Sequence, residues 1–233
     1  MQITLQSSVC ASNFRRRLAR ARAGAGLRDA WFVAITLWAM SFEAFGVDLR
    51  ILVKDQTGRP VEGALVWAQQ PGGKNAGAPL QWEIVQRNRQ FLPMVTVIPV
   101  GSTVRFPNQD NVQHHVYSFS LARTFDIPLY LGQSPPIQFD RPGIITLGCN
   151  IHDWMLAYIV VLDTALYAQT DAKGLASLRD LPADAMIHAW CPRMRGDPIA
   201  HRLQPGQSYV ELVLKLRPAF SRTPPDDREG GYR

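Results

Sequence analysis

The sequence predicts an all-β protein built as two small sandwiches, one flanking or enclosing the other, and three observations carry that expectation. No stretch after the first 46 residues sustains a helical period, whereas short segments such as "SYVELVLKL" at 208–216 alternate apolar and polar residues with the period of two expected of a half-buried strand. Clusters of Gly, Pro, Asn and Asp separate these segments. One device, Asp-x-x-Gly between two apolar runs, occurs at 55–58 and again at 171–174. The segments around these two turns look like halves of one sandwich, with residues 80–163 inserted between them.

The chain opens differently. Residues 15–28 carry six arginines, followed by the apolar run "AWFVAITLWAM" at 30–40 and the small-residue pattern Ala44-Phe45-Gly46. A basic stretch, a short apolar stretch and small residues in that order are the marks of a secretory signal, here spanning 1–46, which implies a periplasmic protein. The apolar run is shorter than the ~20 residues of a membrane span, so a retained N-terminal anchor is the alternative to cleavage. The leader takes six of the 25 Lys+Arg and two of the 19 Asp+Glu, which leaves 19 against 17 and brings the formal charge from +6 to +2. Such a chain has no basic patch for nucleic acid.

From Val47 the elements are expected in this order. A strand at 47–54, a turn at 55–58 in which Asp55 bonds locally and Gly58 supplies positive φ, and a strand at 61–68 come first. "QQPGGKNAGAPL" at 69–80 is a loop. Short strands interrupted by Pro93, Pro99 and Pro107 follow from Trp82, then a strand in "HHVYSFSLA", a turn-rich crossing from Pro128, and strands at 144–149 and from Met155 to Asp163. The second Asp-x-x-Gly turn joins two further strands, and 208–216 closes the fold. The tail, 218–233, is polar and rich in Pro and Gly, with the composition of a disordered segment.

Within the inserted part lies "LGCNIHDWMLAYIVV", where Cys149, His152 and Met155 stand three residues apart just before a strand. Sulfur and imidazole donors together suit copper, whereas magnesium, calcium and manganese prefer oxygen. The loop would project these side chains to one pole of a sandwich. His114 or His115, at the start of a strand 35 or 34 residues upstream of Cys149, can lie beside it if non-sequential strands pair. Two imidazoles, a thiolate and a weak axial methionine are the donor set of a blue-copper electron-transfer centre. Adjacent strand residues point to opposite faces, so only one of the two histidines can serve.

The stretch "FLPMVTVIPVGSTVRFPNQDNVQHHVYSF" followed by "GCNIHDWM", about residues 82–163, resembles the cupredoxins, the small blue-copper proteins with a Greek-key β-sandwich. The Cys-x-x-His-x-x-Met spacing is similar to that of amicyanin, and shorter from His to Met than in plastocyanin. The arrangement also resembles exported proteins labelled methylamine utilisation protein. This likeness implies one type 1 copper ion held by His114, Cys149, His152 and Met155, with His115 as the alternative to His114. It places His115 where the family has an asparagine that braces the cysteine loop, and Asp153 where amicyanin has proline. The flanks, "VKDQTGRPVEGALVWA" and "TDAKGLASLRDLPAD", resemble the carboxypeptidase regulatory-like sandwich, a scaffold and not a reaction centre.

The implied function is a non-enzymatic periplasmic carrier of single electrons between redox partners such as a cytochrome c or a periplasmic dehydrogenase. Ile151, Trp154 and Leu156 would form its docking rim. A non-redox copper binding or delivery protein, or a carbohydrate- or protein-binding sandwich with a copper domain attached, are the alternatives. Simpler expectations compete at single residues. Cys149 and Cys191 could form one disulfide in an oxidising compartment; Met155 alone could be core filler; Trp67, Trp82 and Trp190 are core or interface aromatics. His188, Cys191, Met194 and His201 fit no compact second metal motif. A copper oxidase would need further histidines, and the chain has five in all.

Overall fold

The computed structural model describes residues 46–69 and 76–218. Residues 1–45, 70–75 and 219–233 lie outside the described residues, and with them all but the last residue of the expected signal at 1–46 and all but the first of the expected tail at 218–233. The described chain is all-β, with no helix. Its strands are β1 (Val47–Asp55), β2 (Leu65–Gln69), β3 (Gln81–Glu83), β4 (Val85–Arg87), β5 (Gln90–Leu92), β6 (Val95–Pro99), β7 (Ser102–Arg105), β8 (His114–Ser120) and β9 (Arg123–Tyr130). Then follow β10 (Ile137–Phe139), β11 (Gly143–Gly148), β12 (Leu156–Leu162), β13 (Tyr167–Gln169), β14 (Leu175–Leu181), β15 (Met186–Trp190), β16 (Ile199–Arg202) and β17 (Tyr209–Leu214).

Residues from the two ends interleave in two sheets, β14-β1-β17 and β13-β2-β15-β16. β17 shows the alternation read from its sequence, with Val210, Leu212 and Leu214 buried and Tyr209, Glu211 and Val213 exposed. β1 and β2 are therefore not hairpin partners, and β2 begins at Leu65, later than the expected 61, because residues 62–63 form a turn with Gly63 at φ +69°. Thr170, at the end of the neighbouring strand β13, locks this turn: its hydroxyl donates to Val61 O at 2.6 Å and accepts the Ala64 amide at 2.9 Å.

The two Asp-x-x-Gly turns are built alike. Asp55 Oδ1 accepts the amides of Thr57 (2.8 Å) and Arg59 (3.1 Å), and Asp171 Oδ1 accepts those of Lys173 (2.8 Å) and Leu175 (2.9 Å). In each, the glycine amide returns to the aspartate carbonyl, at 3.0 Å for Gly58 and 2.8 Å for Gly174. A side chain that satisfies two turn amides is the reason Asp starts such turns.

The middle of the chain makes a five-stranded sheet, β6-β12-β11-β8-β9, facing the smaller sheet β10-β7-β3 and the β4-β5 hairpin. Between them lies a core that includes Ile84, Phe91, Phe106, Phe139, Ile145, Leu147, Ile159, Cys149 and Met155. A second core, between the flanking sheets, includes Leu49, Ile51, Val66, Trp67, Ile187, Trp190, Leu212 and Leu214. Trp82 belongs to neither and is exposed on β3, unlike the interior place expected of it. β9, β10 and β16 are among the strands that the pattern missed: in β9 Pro128 read as a breaker, but β9 is an edge strand, where a missing N–H costs no ladder bond.

The five-stranded sheet serves both cores. Ile145, Leu147, Ala157, Ile159 and Val161 face the central core, while Val160 and Leu162 join the flanking core and Val95, Val97, Ile144 and Tyr158 pack on it. In this sheet β11 pairs with β8, so the end of β11 meets the start of β8. That crossing positions the site.

Candidate metal centre

β8 begins with His114, which is completely buried; β11 ends at Gly148, just before Cys149; β12 starts after Met155. The intervening loop is closed by a bond from the Met155 amide to His152 O at 2.9 Å, a tight turn that the Cys-x-x-His-x-x-Met spacing allows. His114, Cys149 and His152 then converge, with one donor atom from each lying within 4.8 Å of the others. His114 Nδ1 and His152 Nδ1 are 3.2 Å apart, and Cys149 Sγ is 3.7 Å from His152 Nδ1. Nitrogens at that separation can both reach one ion at the usual bond of about 2.0–2.1 Å. Met155, 2% exposed, is buried in the same core as Cys149.

His114 is oriented by Asp110. Its Nε2 lies 2.7 Å from Asp110 Oδ2, and because a carboxylate only accepts, the Nε2 proton donates and the Nδ1 lone pair is left for the cluster. Asp110 also accepts the amides of Asn88 at 2.6 Å and Arg89 at 2.9 Å, two residues in the left-handed region at the β4-β5 turn. One carboxylate thus ties that turn to the buried histidine. Trp154 adds a second tie, donating Nε1–H to Arg89 O at 3.2 Å. Asn108 holds the loop before His114 through its amide bonds to Val112 O and Tyr130 O, at 2.8 and 3.0 Å.

The electrostatics suit a cation. Burial works against a Cys149 thiolate, but hydrogen bonding from His114 and from the amides of His115 and Ile151, with the His114 charge, outweighs it and lowers the thiol pKa. Burial likewise opposes an imidazolium at His114, yet Cys149 and Asp110 raise its pKa. His152 is pushed down by burial and by its positive neighbours His114 and Arg89. Asp110 is desolvated, but its amide and His114 bonds keep it below the ordinary carboxylate value. Beneath the site Tyr130, bonded to Phe106 O and to Gln86, is pushed up to about 12, mainly by burial.

Three of the four sequence-named donors therefore form one cluster, and Met155 shares its core. His115 is not in it: its side chain is paired with Asp126 on β9 and tilts against Tyr117, while its backbone amide bonds Cys149. Asp110, Asn108 and Tyr130 escaped the sequence reading; the only signal was Asp110 four residues before His114 in "DNVQH". Cys149 and Cys191 are both free thiols in different cores, so the disulfide is not formed. His188 stacks on Trp67 at 5.1 Å and His201 pairs with Gln207 at 3.2 Å. Among the described residues, His114, Cys149 and His152 are the one group of three or more His, Cys, Asp or Glu that could hold an ion.

No protein-family model matches the chain, and no curated protein matches it. Solved structures that match part of it include a purple cupredoxin from Nitrosopumilus maritimus, at 22% identity over 34% of this chain and 98% of that one, TM-score 0.31. Amicyanin from Paracoccus versutus matches at 20% identity over 34% of this chain and 79% of that one, TM-score 0.31. A copper-containing nitrite reductase from Thermus scotoductus SA-01 matches at 26% identity over 48% of this chain and 28% of that one, TM-score 0.34.

Proposed function

We propose that this chain is a type 1 copper protein of the cupredoxin kind that carries single electrons in the periplasm. The observation that carries the reading is the convergence, at one pole of the central sandwich, of the His114 Nδ1 from the start of β8 with the His152 Nδ1 and the Cys149 thiol from the β11-β12 loop. Copper, when bound, would supply a one-electron centre. The chain's part is to hold donors so that little moves as charge changes: His114 is fixed by Asp110, and Cys149 by the end of β11 and the closed loop. Met155, buried in the same core as Cys149, would add a thioether to the donor set.

His152, the less buried imidazole, is the proposed exit for the electron. Ile151 is exposed beside it, and Trp154 and Leu156 are half-buried, which gives a small apolar rim suited to brief contact with a cytochrome c or a periplasmic dehydrogenase. An oxygen- or nitrite-reducing enzyme is disfavoured because His115, His188 and His201 are each engaged outside the cluster.

The test is an optical and electron-spin-resonance spectrum of residues 47–233 loaded with Cu(II). Intense blue or purple colour that Cys149→Ser abolishes is the expected result; a colourless copper complex refutes the reading. Cycling with a reductant then separates a carrier, which keeps its ion in both states, from a delivery protein, which releases it.

A further inference from the structure

The acceptor that faces His114 Nε2 is charged, and orientation alone does not call for a charge. Any acceptor, a peptide carbonyl included, would hold the ring proton on Nε2 and leave Nδ1 to the cluster. Here a carboxylate does so, its side chain 11% exposed against a histidine side chain at 0%. Three donors enclose it: Oδ1 accepts the Asn88 amide at 2.6 Å, and Oδ2 accepts the Arg89 amide at 2.9 Å and the His114 ring at 2.7 Å. Asp110 is itself anchored, because its own amide donates to Asn108 Oδ1 at 2.9 Å. A protonated carboxyl would turn an O–H against one of those donors, so the cage fits the anion.

Counting charge shows what the anion adds. A metal-bound thiol is a thiolate, and an imidazole that offers Nδ1 while keeping its Nε2 proton is neutral. Cys149 and Asp110 together therefore balance a cupric ion and exceed a cuprous one by a single negative charge. Leftover charge away from water is unfavourable. What separates Asp110 from the cluster is the ring of His114, completely buried, so the charge acts across it with far less screening than at the surface.

We infer that Asp110 biases the centre toward its cupric state and so fits this chain to give electrons more readily than to take them; the inference rests on the copper-carrier reading above. One electron passes from Cu(I) to an oxidised one-electron partner, Cu(II) is left, and no proton or bond changes place. That partner can then be a weak oxidant, whereas reloading takes a stronger reductant. Asp153, the carboxylate next to His152 in the chain, does not share the role, because it is exposed and water screens it.

The experiment compares wild type, Asp110→Asn, Asp110→Glu and Asp153→Asn. Affinities for Cu(I) and Cu(II) are measured separately, each by competition with a chelator of that oxidation state, and the potential by mediated titration of the copper colour. Asp110→Asn keeps an acceptor for His114 but drops the charge. It is expected to bind Cu(II) about tenfold more weakly with Cu(I) affinity unchanged, which raises the potential by about 59 mV for a one-electron couple. Asp110→Glu, which keeps the charge, and Asp153→Asn should both stay at the wild-type potential. Equal weakening of Cu(I) and Cu(II) binding by Asp110→Asn overturns the inference and leaves Asp110 as an orienting group alone, as does an equal shift of potential in Asp110→Glu. If Asp110→Asn does not fold, Asp110→Ser, equally uncharged, decides by the same ratio. A colourless copper complex of the wild type is a separate outcome: it refutes the carrier reading, and the electron-giving role with it.

Discussion

Asp110 is the residue on which the candidate site depends most without supplying a donor to it. Its carboxylate joins His114 Nε2 to two amides of the β4-β5 turn, so truncation frees a buried ring and leaves those amides unpaired. Asp110→Ala is expected to weaken copper binding about 10- to 100-fold, the usual cost of removing the partner that orients a ligand histidine. Asp110→Asn, which can retain an acceptor, should lie between. Competition against a chelator of known affinity measures both; equal affinities for all three proteins would show that the loop alone orients His114. The contrast with Cys149 and His152 shows what was legible at this scale. Their spacing is local and could be read directly, and alternation along β8 sets His114 and His115 on opposite faces. Asp110 gains its role from a turn 21 to 22 residues earlier in the chain, which no local pattern connects to it.

Among the elements, the two Asp-x-x-Gly turns were legible because their bonds lie within five residues, but sequence could not show that their glycines differ. Both have positive φ, +83° at Gly58 and +73° at Gly174. Around Gly58 nothing approaches within 4 Å of an added Cβ, whereas at Gly174 the Cβ would sit 2.5 Å from Val53 O. Gly58→Ala should therefore cost only the left-handed backbone term, about 1–2 kcal/mol. Gly174→Ala should cost ~1–3 kcal/mol more, because a strand backbone has to move. Denaturant midpoints at constant slope test the difference, and equal losses would mean that β1 yields easily at Val53. The β2-β15 pair carries a second prediction. His188 stacks on Trp67 with its Nε2 buried and unpartnered, and burial, opposed by Asp163, lowers its pKa. A depressed histidine contributes stability that is complete above the unfolded value, about 6.5, and is lost as pH falls through the folded one. The melting temperature should thus fall between pH 7.5 and 5 in the wild type and fall less in His188→Phe. Parallel profiles would show that His188 does not titrate in this range.

At the scale of the whole molecule, two cores lean on one sheet. Sequence could place a central segment between two flanks, because composition and turn devices change near residues 80 and 163, but it could not show that the face of β12 carrying Tyr158, Val160 and Leu162 is the floor of the flanking core. This follows from sheet order, a long-range property that alternation within one strand does not encode. A consequence is that residues 80–163 cut out as a separate unit would bare Val95, Val97, Ile144, Tyr158, Val160 and Leu162, an apolar stripe that invites association. The flanks alone would lose the same floor. The intact protein should then unfold as one cooperative unit, and a ligand held only by the folded central sandwich should stabilise both cores by mass action. Natural reporters allow the check: Trp67 and Trp190 are buried in the flanking core, and Trp154 lies at the metal pole. With Trp82→Phe and Trp154→Phe in residues 47–233 the emission reports on the flanking side, and copper loading at about 100 times its dissociation constant should raise the stability seen there by ~2.7 kcal/mol, as much as at the site itself. A flanking transition that does not respond to copper would show that the shared sheet transmits no cooperativity, and that the two sandwiches melt independently in spite of their common wall.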